Sequence, residues 1–384
     1  MVEQRDIVIV GGGPAGAGTA LALHRSSPEL ARRSLVIDRA AFPRDKTCAG
    51  GLIPHTMALL SDLEVPFSIP AVQVDRARVD AGGPRIEMES PGCCWVIRRR
   101  EFDAMLLDAV IERGIEVRTG VRLREATRRG DRIVLDTSSG TIEARAVVAA
   151  DGAGSLLRRR LVCEDEGWLA RAVMADVPLE GERPPDAYEF DFTDVPDGLA
   201  GYAWSFPCWI DGKPHFNVGA YSLDRRGEGG RLADILDRRG AGRERKAHPI
   251  RLYRAGAPLS APGVLLVGDS AGVDPLLGEG ISYALEYGAL AARELTRGFA
   301  VGDLGFDGYT DGVAQSSLGR KLQRLSLAAR LFYGPRSRLF FGLARLSRTA
   351  QRIGMNWYNG VGLWNPPVMA LPSSRLESSR QVRA

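Results

Sequence analysis

Hydrophobic and polar positions divide this chain into two textures. Residues 7–10, 35–37, 144–150 and 264–267 are short, continuous apolar runs rich in β-branched side chains, which predicts strands buried on both faces of a parallel sheet. Residues 15–24, 99–112 and 281–295 predict helices, with Phe102, Leu106, Leu107 and Val110 on one side of the second. A shorter helix is predicted from Pro54 onward, and a short strand at 115–117. Elsewhere the runs are shorter and alternate with polar residues, at 72–79, 85–88, 95–97, 170–177, 187–192, 201–206 and 216–220. That texture predicts antiparallel sheet. A hairpin over 121–125 and 132–135 is expected beside the domain built on the parallel sheet. The stretch 41–52 reads as a loop, too polar and glycine-rich for a strand, and 224–243 as a polar, arginine-rich helix and loop.

The first apolar run leads directly into Gly11, Gly13 and Gly16, in the spacing G-x-G-x-x-G, with Pro14 and Ala15 opening the helix. One glycine permits a tight turn, one lets backbone approach a pyrophosphate, and one lets helix and strand pack closely. The helix start adds unpaired N–H groups and partial positive charge. The second strand ends in Asp38, followed by Arg39, where an acceptor for a ribose 2′-hydroxyl is expected. An acid there disfavours a 2′-phosphate, so NADP fits this site poorly. Asp151-Gly152 and Gly268-Asp269 end two further apolar runs as if entering a ligand crevice, and Gly278-Glu279-Gly280 precedes a helix start. The expected fold class is therefore α/β. A Rossmann-type dinucleotide-binding domain (1–70, 98–165 and 262–319) carries an inserted, mainly antiparallel β-sheet substrate domain (71–97 and 166–261). A C-terminal helical segment and tail follow at 320–384.

Composition alters this picture little. The chain has 384 residues, 45% hydrophobic and 26% charged, with a formal net charge of +4, which points to a globular protein and to no nucleic-acid partner. Its five cysteines lack a C-x-x-C pair and its four histidines are scattered, so neither a disulfide framework nor a metal site is expected. The N-terminus enters a strand at once, without a secretory signal pattern, and no apolar run reaches the roughly 18 residues of a spanning helix. A cytoplasmic setting is expected. Residues 320–352 hold nine Arg or Lys and no acid, interleaved with Leu and Phe and broken by Gly334-Pro335 into two predicted helices. Two readings stand for them: peripheral contact with a membrane surface, or a helical pair packed on its own domain with a solvated basic face.

Taken together, these motifs resemble the geranylgeranyl reductase family, within the flavoproteins built like para-hydroxybenzoate hydroxylase. The resemblance spans about residues 5–325. It rests on the glycine triplet with Asp38, PRDKTCAGGL at 43–52, RREFDAMLL at 99–107, GYAWSFP at 201–207 and VLLVGDSAGVDPLLGEGI at 264–281. It implies an extended FAD, with Gly11, Gly13, Pro14, Ala15 and Gly16 at the pyrophosphate, and Asp38 and Arg39 at the adenosine ribose. Arg99 would lie near the diphosphate and Asp269 at the ribityl and pyrophosphate portion, and Asp151, Gly152, Gly268 and Pro275 join the expected cofactor-binding residues. Gly50 and Gly51 would lie in a loop near the cofactor, and the amides of Gly278, Gly280 and Ile281 would face the isoalloxazine. Cys48 matches the family cysteine close to flavin and substrate, and it joins Tyr202 and Trp204 as the expected catalytic set. Two departures are Ala49, where the family has a third glycine, and Cys208, where a lysine commonly follows the F-P.

The implied activity is reduction of carbon–carbon double bonds in an isoprenoid or similar apolar, lipid-like substrate. Electrons would come from NAD(P)H or a ferredoxin-type carrier that binds transiently. The proton donor stays open among Cys48, Tyr202 and water. The alternative is an FAD-dependent monooxygenase, hydroxylase or epoxidase, and a third reading is an interaction protein that keeps FAD as a structural element. Halogenation fits less well, because halogenase relatives carry W-x-W-x-I-P where this chain has Y-A-W-S-F-P at 202–207.

Overall fold

The computed structural model describes residues 2–164, 167–223, 229–334 and 337–358. Two eight-stranded sheets organise them. Along the first, the order is Ser260–Ala261, Val264–Leu266, Gly140–Ala149, Glu3–Val10, Ser34–Asp38 and Glu116–Thr119. From Val264–Leu266 to Glu116–Thr119 every neighbouring pair is parallel. Ile7, Val8, Ile9, Leu35, Val36, Ile37, Val147 and Val148 are fully buried, as uninterrupted apolar runs require. The predicted hairpin is Leu123–Arg129 with Arg132–Thr137, and it belongs to this sheet rather than standing beside the domain. Its second strand pairs with the start of Gly140–Ala149, and Val264–Leu266 takes over the same edge further along.

Parallel pairing brings Val10, Asp38 and Ala149 to one edge of the sheet. Helices Pro14–Ser26 and Ile281–Val301 pack against each other and both begin at the crevice there. Glycine makes their close approach feasible. A Cβ on Gly288 would lie 2.6 Å from the Thr19 amide nitrogen, and one on Gly18 would lie 2.9 Å from Leu285 Cδ2. Two positive helix ends therefore converge on one place.

The second sheet runs Lys246–Arg251, Leu169–Pro178, Lys213–Ser222, Gly201–Ile210, Ala187–Asp191, Ala71–Asp80, Ile86–Ile97, Gly51–Leu52. Among these strands only Ala187–Asp191 and Ala71–Asp80 pair in parallel. Two sequence expectations change here. The strands predicted at 85–88 and 95–97 are one strand, Ile86–Ile97, because a register shift opposite Val74 and Arg76 absorbs Pro91-Gly92. Gly92 N–H donates to Asp75 Oδ1 at 2.6 Å across that shift. Gly51–Leu52, expected in a loop, is an edge strand on Val96 and Trp95. A Cβ on Gly51 would lie 2.9 Å from Phe206 Cε2, so glycine here permits close packing rather than breaking the chain.

The second sheet has two different faces. Ala203, Val218 and Ala220 pack under Leu232, Ile235 and Leu236 of helix Gly229–Arg238. Tyr202, Trp204 and Phe206 alternate onto the other face, which turns toward the crevice. The C-terminal region is three helices, Ser317–Phe332, Ser337–Leu346 and Arg348–Tyr358, where two were predicted; the extra break at Ser347 has no mark in the hydrophobic period. Leu318, Leu322, Leu325 and Ala329 bury one face of the first. Among the described residues no helix is long and apolar enough to cross a membrane. Residues 224–228, Pro335 and the tail 359–384 of the predicted segments lie outside the described residues.

Candidate cofactor and substrate site

A cavity of about 660 Å³ lies between the two sheets. Every expected site residue lines it except Gly16, Gly268 and Pro275. These three stand behind the wall. A Cβ on Gly16 would lie 1.8 Å from the Gly11 carbonyl oxygen, and one on Gly268 would lie 2.7 Å from Ala15 Cβ. The Pro275 carbonyl accepts the Tyr221 hydroxyl at 3.0 Å. Their part is packing and support.

One portion of the wall is built for an anion. Gly13 caps helix Pro14–Ser26 without a side-chain hydrogen bond, so the first amides lack an internal partner. Arg44 and Arg99 stand beside that helix start, their Nη2 atoms 3.5 and 3.9 Å from where a Gly13 Cβ would be. Asp103, fully buried, fixes both: Arg99 donates to its two oxygens at 2.6 and 2.7 Å, and Arg44 Nη1 lies 3.1 Å from Oδ2. Burial works against the Arg99 charge, but the Asp103 carboxylate outweighs it and holds the guanidinium above its ordinary pKa. Asp38 is held at its strand end by the Gly12 amide, which donates to Oδ2 at 2.7 Å, and the Ala40 amide, which donates to Oδ1 at 2.8 Å. Asp151 accepts the Leu156 amide at Oδ2, while its buried Oδ1 has no hydrogen-bond partner. Burial pushes this carboxyl up. Uncapped amides, two arginines and a lone buried acceptor suit a group bearing a diphosphate and several hydroxyls, as FAD does.

The rest of the wall is aromatic. Trp204 lies flat on Gly219, where a Cβ would come within 2.1 Å of its ring, and its N–H donates to Asn217 Oδ1 at 2.9 Å. Asn217 in turn donates to Asp176 at 2.8 Å, and Arg98 donates to both Asp176 oxygens at 2.9 and 3.0 Å. Despite burial, Arg98 holds the Asp176 carboxyl below its ordinary pKa. The Tyr202 hydroxyl donates to the Leu277 carbonyl at 2.6 Å. Half-buried Cys48 accepts the Gly50 amide at 3.3 Å. Thus Tyr202 and Trp204 have their polar hydrogens engaged, and of the three only Cys48 keeps its own hydrogen uncommitted among the described contacts.

Several wall residues escaped the sequence reading. Lys46 Nζ donates to His248 Nε2 at 2.6 Å, across 202 positions of sequence. Burial lowers the pKa of both, and with the Lys46 charge adjacent His248 is pushed down to about 4. No local period brings such partners together. Asp103 was closer to legible, because it follows Arg99 at the i,i+4 spacing of a helical ion pair.

Asp274 is the most perturbed carboxylate of the flanking turn. It accepts the Leu276 and Leu277 amides at 2.6 and 3.0 Å. Burial pushes it up to about 7 against the pull of those amides, with Glu279 adding to the rise. The unfolded chain releases this proton near pH 4, so between about pH 4 and 7 the folded state holds the extra proton. This group's stabilisation is present at acid pH and lost as the pH rises toward 7. Asp274→Asn, whose single carbonyl oxygen can still accept the Leu276 amide while the Leu277 bond to Oδ2 is lost, is expected to gain about 2–4 kcal/mol relative to the wild type as the pH rises between those limits. Urea unfolding at several pH values checks this, and a flat difference would contradict it.

Comparison with known proteins follows the same lines. Residues 4–189 match the family described as FAD binding domain. The chain is 31% identical over 328 residues to "Menaquinone reductase" of Mycolicibacterium smegmatis, covering 78% of each chain. It is 30% identical over 314 residues to "Digeranylgeranylglycerophospholipid reductase 2" of Methanopyrus kandleri, covering 75% of this chain and 76% of that one. A geranylgeranyl bacteriochlorophyll reductase-like structure from Thermoplasma acidophilum superposes with a TM-score of 0.70 at 20% identity, over 87% of this chain and 88% of that one.

Proposed function

Because the chain belongs to the geranylgeranyl-reductase-like family of FAD flavoproteins, we propose that it reduces carbon–carbon double bonds in an isoprenoid chain of a lipid-like substrate. The observation that carries this reading is one continuous cavity joining an anion cradle to an aromatic-walled hollow. Similarity to reductases of menaquinone and of a digeranylgeranyl lipid, both isoprenoid compounds, supports the substrate class.

Bound FAD supplies a two-electron carrier able to pass hydride to an alkene. The amides at the start of helix Pro14–Ser26, with Arg44 and Arg99, would hold its diphosphate, and Asp38 and Asp151 would accept its hydroxyls. Glu279 takes the Ser282 amide at 2.9 Å, and the Gly280 and Ile281 amides at the start of helix Ile281–Val301 would stabilise negative charge on the reduced ring. Phe190, Trp204, Phe206 and Tyr221 line the hollow and exclude water. Cys48 is the wall residue best disposed to give a proton to the alkene, since the Tyr202 hydroxyl is held by Leu277. Electrons come from NAD(P)H or a ferredoxin-type carrier, bound transiently, as the sequence carries one glycine triplet only.

The test is anaerobic. FAD-loaded protein reduced with dithionite should be reoxidised by a polyprenyl lipid far faster than by buffer alone. Failure with every polyprenyl acceptor, alongside oxygen uptake coupled to product, would overturn the reading.

Such a substrate resides in a bilayer, and the C-terminal helices are the face that would meet one. Leu327, Leu331, Leu339, Leu346 and Ile353 are exposed there among exposed Arg320, Arg324, Arg330, Arg348 and Arg352. The packed reading describes one face of this segment, and the other, basic and greasy, is the face we assign to a membrane surface. The five free cysteines fit a reducing, cytoplasmic side. The double variant Leu327→Ser, Leu331→Ser is expected to lower recovery with phosphatidylglycerol-containing vesicles about tenfold. Equal flotation of variant and wild type would remove the helices from this role.

A further inference from the structure

The turn from Asp274 to Gly280 is held from two sides. Asp274 takes its amides, since its side chain accepts Leu276 and Leu277 N–H and its carbonyl accepts Gly278 N–H at 3.1 Å. Three tyrosine hydroxyls take its next three carbonyls. Tyr221, on Lys213–Ser222, donates to Pro275 at 3.0 Å, and Tyr202, on Gly201–Ile210, donates to Leu277 at 2.6 Å. The carbonyl between them, that of Leu276, accepts Tyr333 at 2.6 Å.

Tyr333 differs from the other two. It belongs to neither sheet, it caps helix Ser317–Phe332, and it does not line the cavity. The same helix sends Lys321 over the Tyr283 ring, 5.0 Å from its centroid, on the helix that the turn leads into. Leu277, Gly278, Gly280 and Ile281, on the far side of these bonds, do line the cavity. We propose that the C-terminal helical layer sets the shape of this turn, with Tyr333 as a positioning residue that aims the Gly280 and Ile281 backbone into the cavity. The C-terminal helical layer and the cofactor wall are thereby joined through the Tyr333 hydroxyl.

The first arm of the test uses the protein without cofactor, so it stands apart from the FAD reading. In Tyr333→Phe, the Leu276 carbonyl loses its donor, and amide hydrogen exchange at 276–278 should speed up about 5- to 10-fold while Pro14–Ser26 is unchanged. Leu322→Ala loosens the same helix but spares the hydroxyl; it should lower the melting temperature and leave exchange at 276–278 within about twofold. Unchanged exchange in Tyr333→Phe, or equal acceleration in both variants, would overturn the proposal. The second arm rests on the FAD reading. Loaded Tyr333→Phe should bind FAD about 3- to 10-fold more weakly, with a shifted visible spectrum and a more negative midpoint potential. Faster exchange with an unaltered spectrum, affinity and potential would also overturn it. Wild-type protein that binds no FAD would defeat the FAD reading and leave the first arm to decide.

Discussion

Gly11→Ala is expected to abolish FAD retention and to destabilise the protein by about 3–5 kcal/mol. Gly11 has φ +115°, a backbone region that side chains rarely enter, and its Cβ would lie 2.2 Å from the Ala150 carbonyl oxygen. Neither difficulty relieves the other. The Gly11 amide is tied to the Ile37 carbonyl at 2.7 Å, so the residue cannot swing away without breaking the seam between two central strands. A loss of this size is a large part of an ordinary domain's total of about 5–15 kcal/mol. Urea unfolding of the cofactor-free variant and the flavin absorbance of the purified protein check the two halves. Wild-type stability with yellow protein would show that strand and turn have more room than these contacts allow.

Asp103→Ala is expected to have a comparable effect on stability with an opposite response to FAD. Its carboxylate is fully buried between Arg99 and Arg44. Removing it strands two close cations, which costs about 3–5 kcal/mol when one partner of a buried pair is deleted. The same deletion raises the positive potential at the start of helix Pro14–Ser26. A diphosphate can then replace part of the lost anion, so added FAD, or inorganic pyrophosphate alone, should stabilise the variant more than it stabilises the wild type. Parallel melting curves with and without ligand read this difference. Equal ligand-induced shifts in both proteins would mean that Arg44 and Arg99 do not face the bound anion.

What the sequence disclosed and what it hid have separate physical causes. Strands of the parallel sheet were plain because a strand buried on both faces must be apolar at every position, as Ile7–Ile9 and Leu35–Ile37 are. The glycine triplet was plain because turn, approach and close packing each impose their own spacing. Ile86–Ile97 was hidden because Pro91 and Gly92 read locally as a break, whereas the shift at Val74 and Arg76 on the partner strand accommodates them. Gly51–Leu52 was hidden because the reason for its glycine is a ring, Phe206, far away in the sequence. The cavity's polar contacts were the least legible. Lys46 meets His248 across 202 positions of sequence, and Arg98, at the end of Ile86–Ile97, meets Asp176 on a distant strand of the same sheet. Tyr202 was legible as an aromatic wall residue, but its hydroxyl's bond to Leu277 forms only when strand Gly201–Ile210 meets a turn 75 positions away in sequence.

Hydride delivery to an isoprenoid double bond is the role of the hollow beside the cofactor cradle. Its most direct measurement is the mass of the product formed by FAD-loaded protein from a polyprenyl lipid under strict anaerobiosis with a chemical reductant. The expected product is heavier by pairs of hydrogen atoms and forms with no requirement for oxygen. Product that forms only when oxygen is admitted and carries an added oxygen atom would contradict this role.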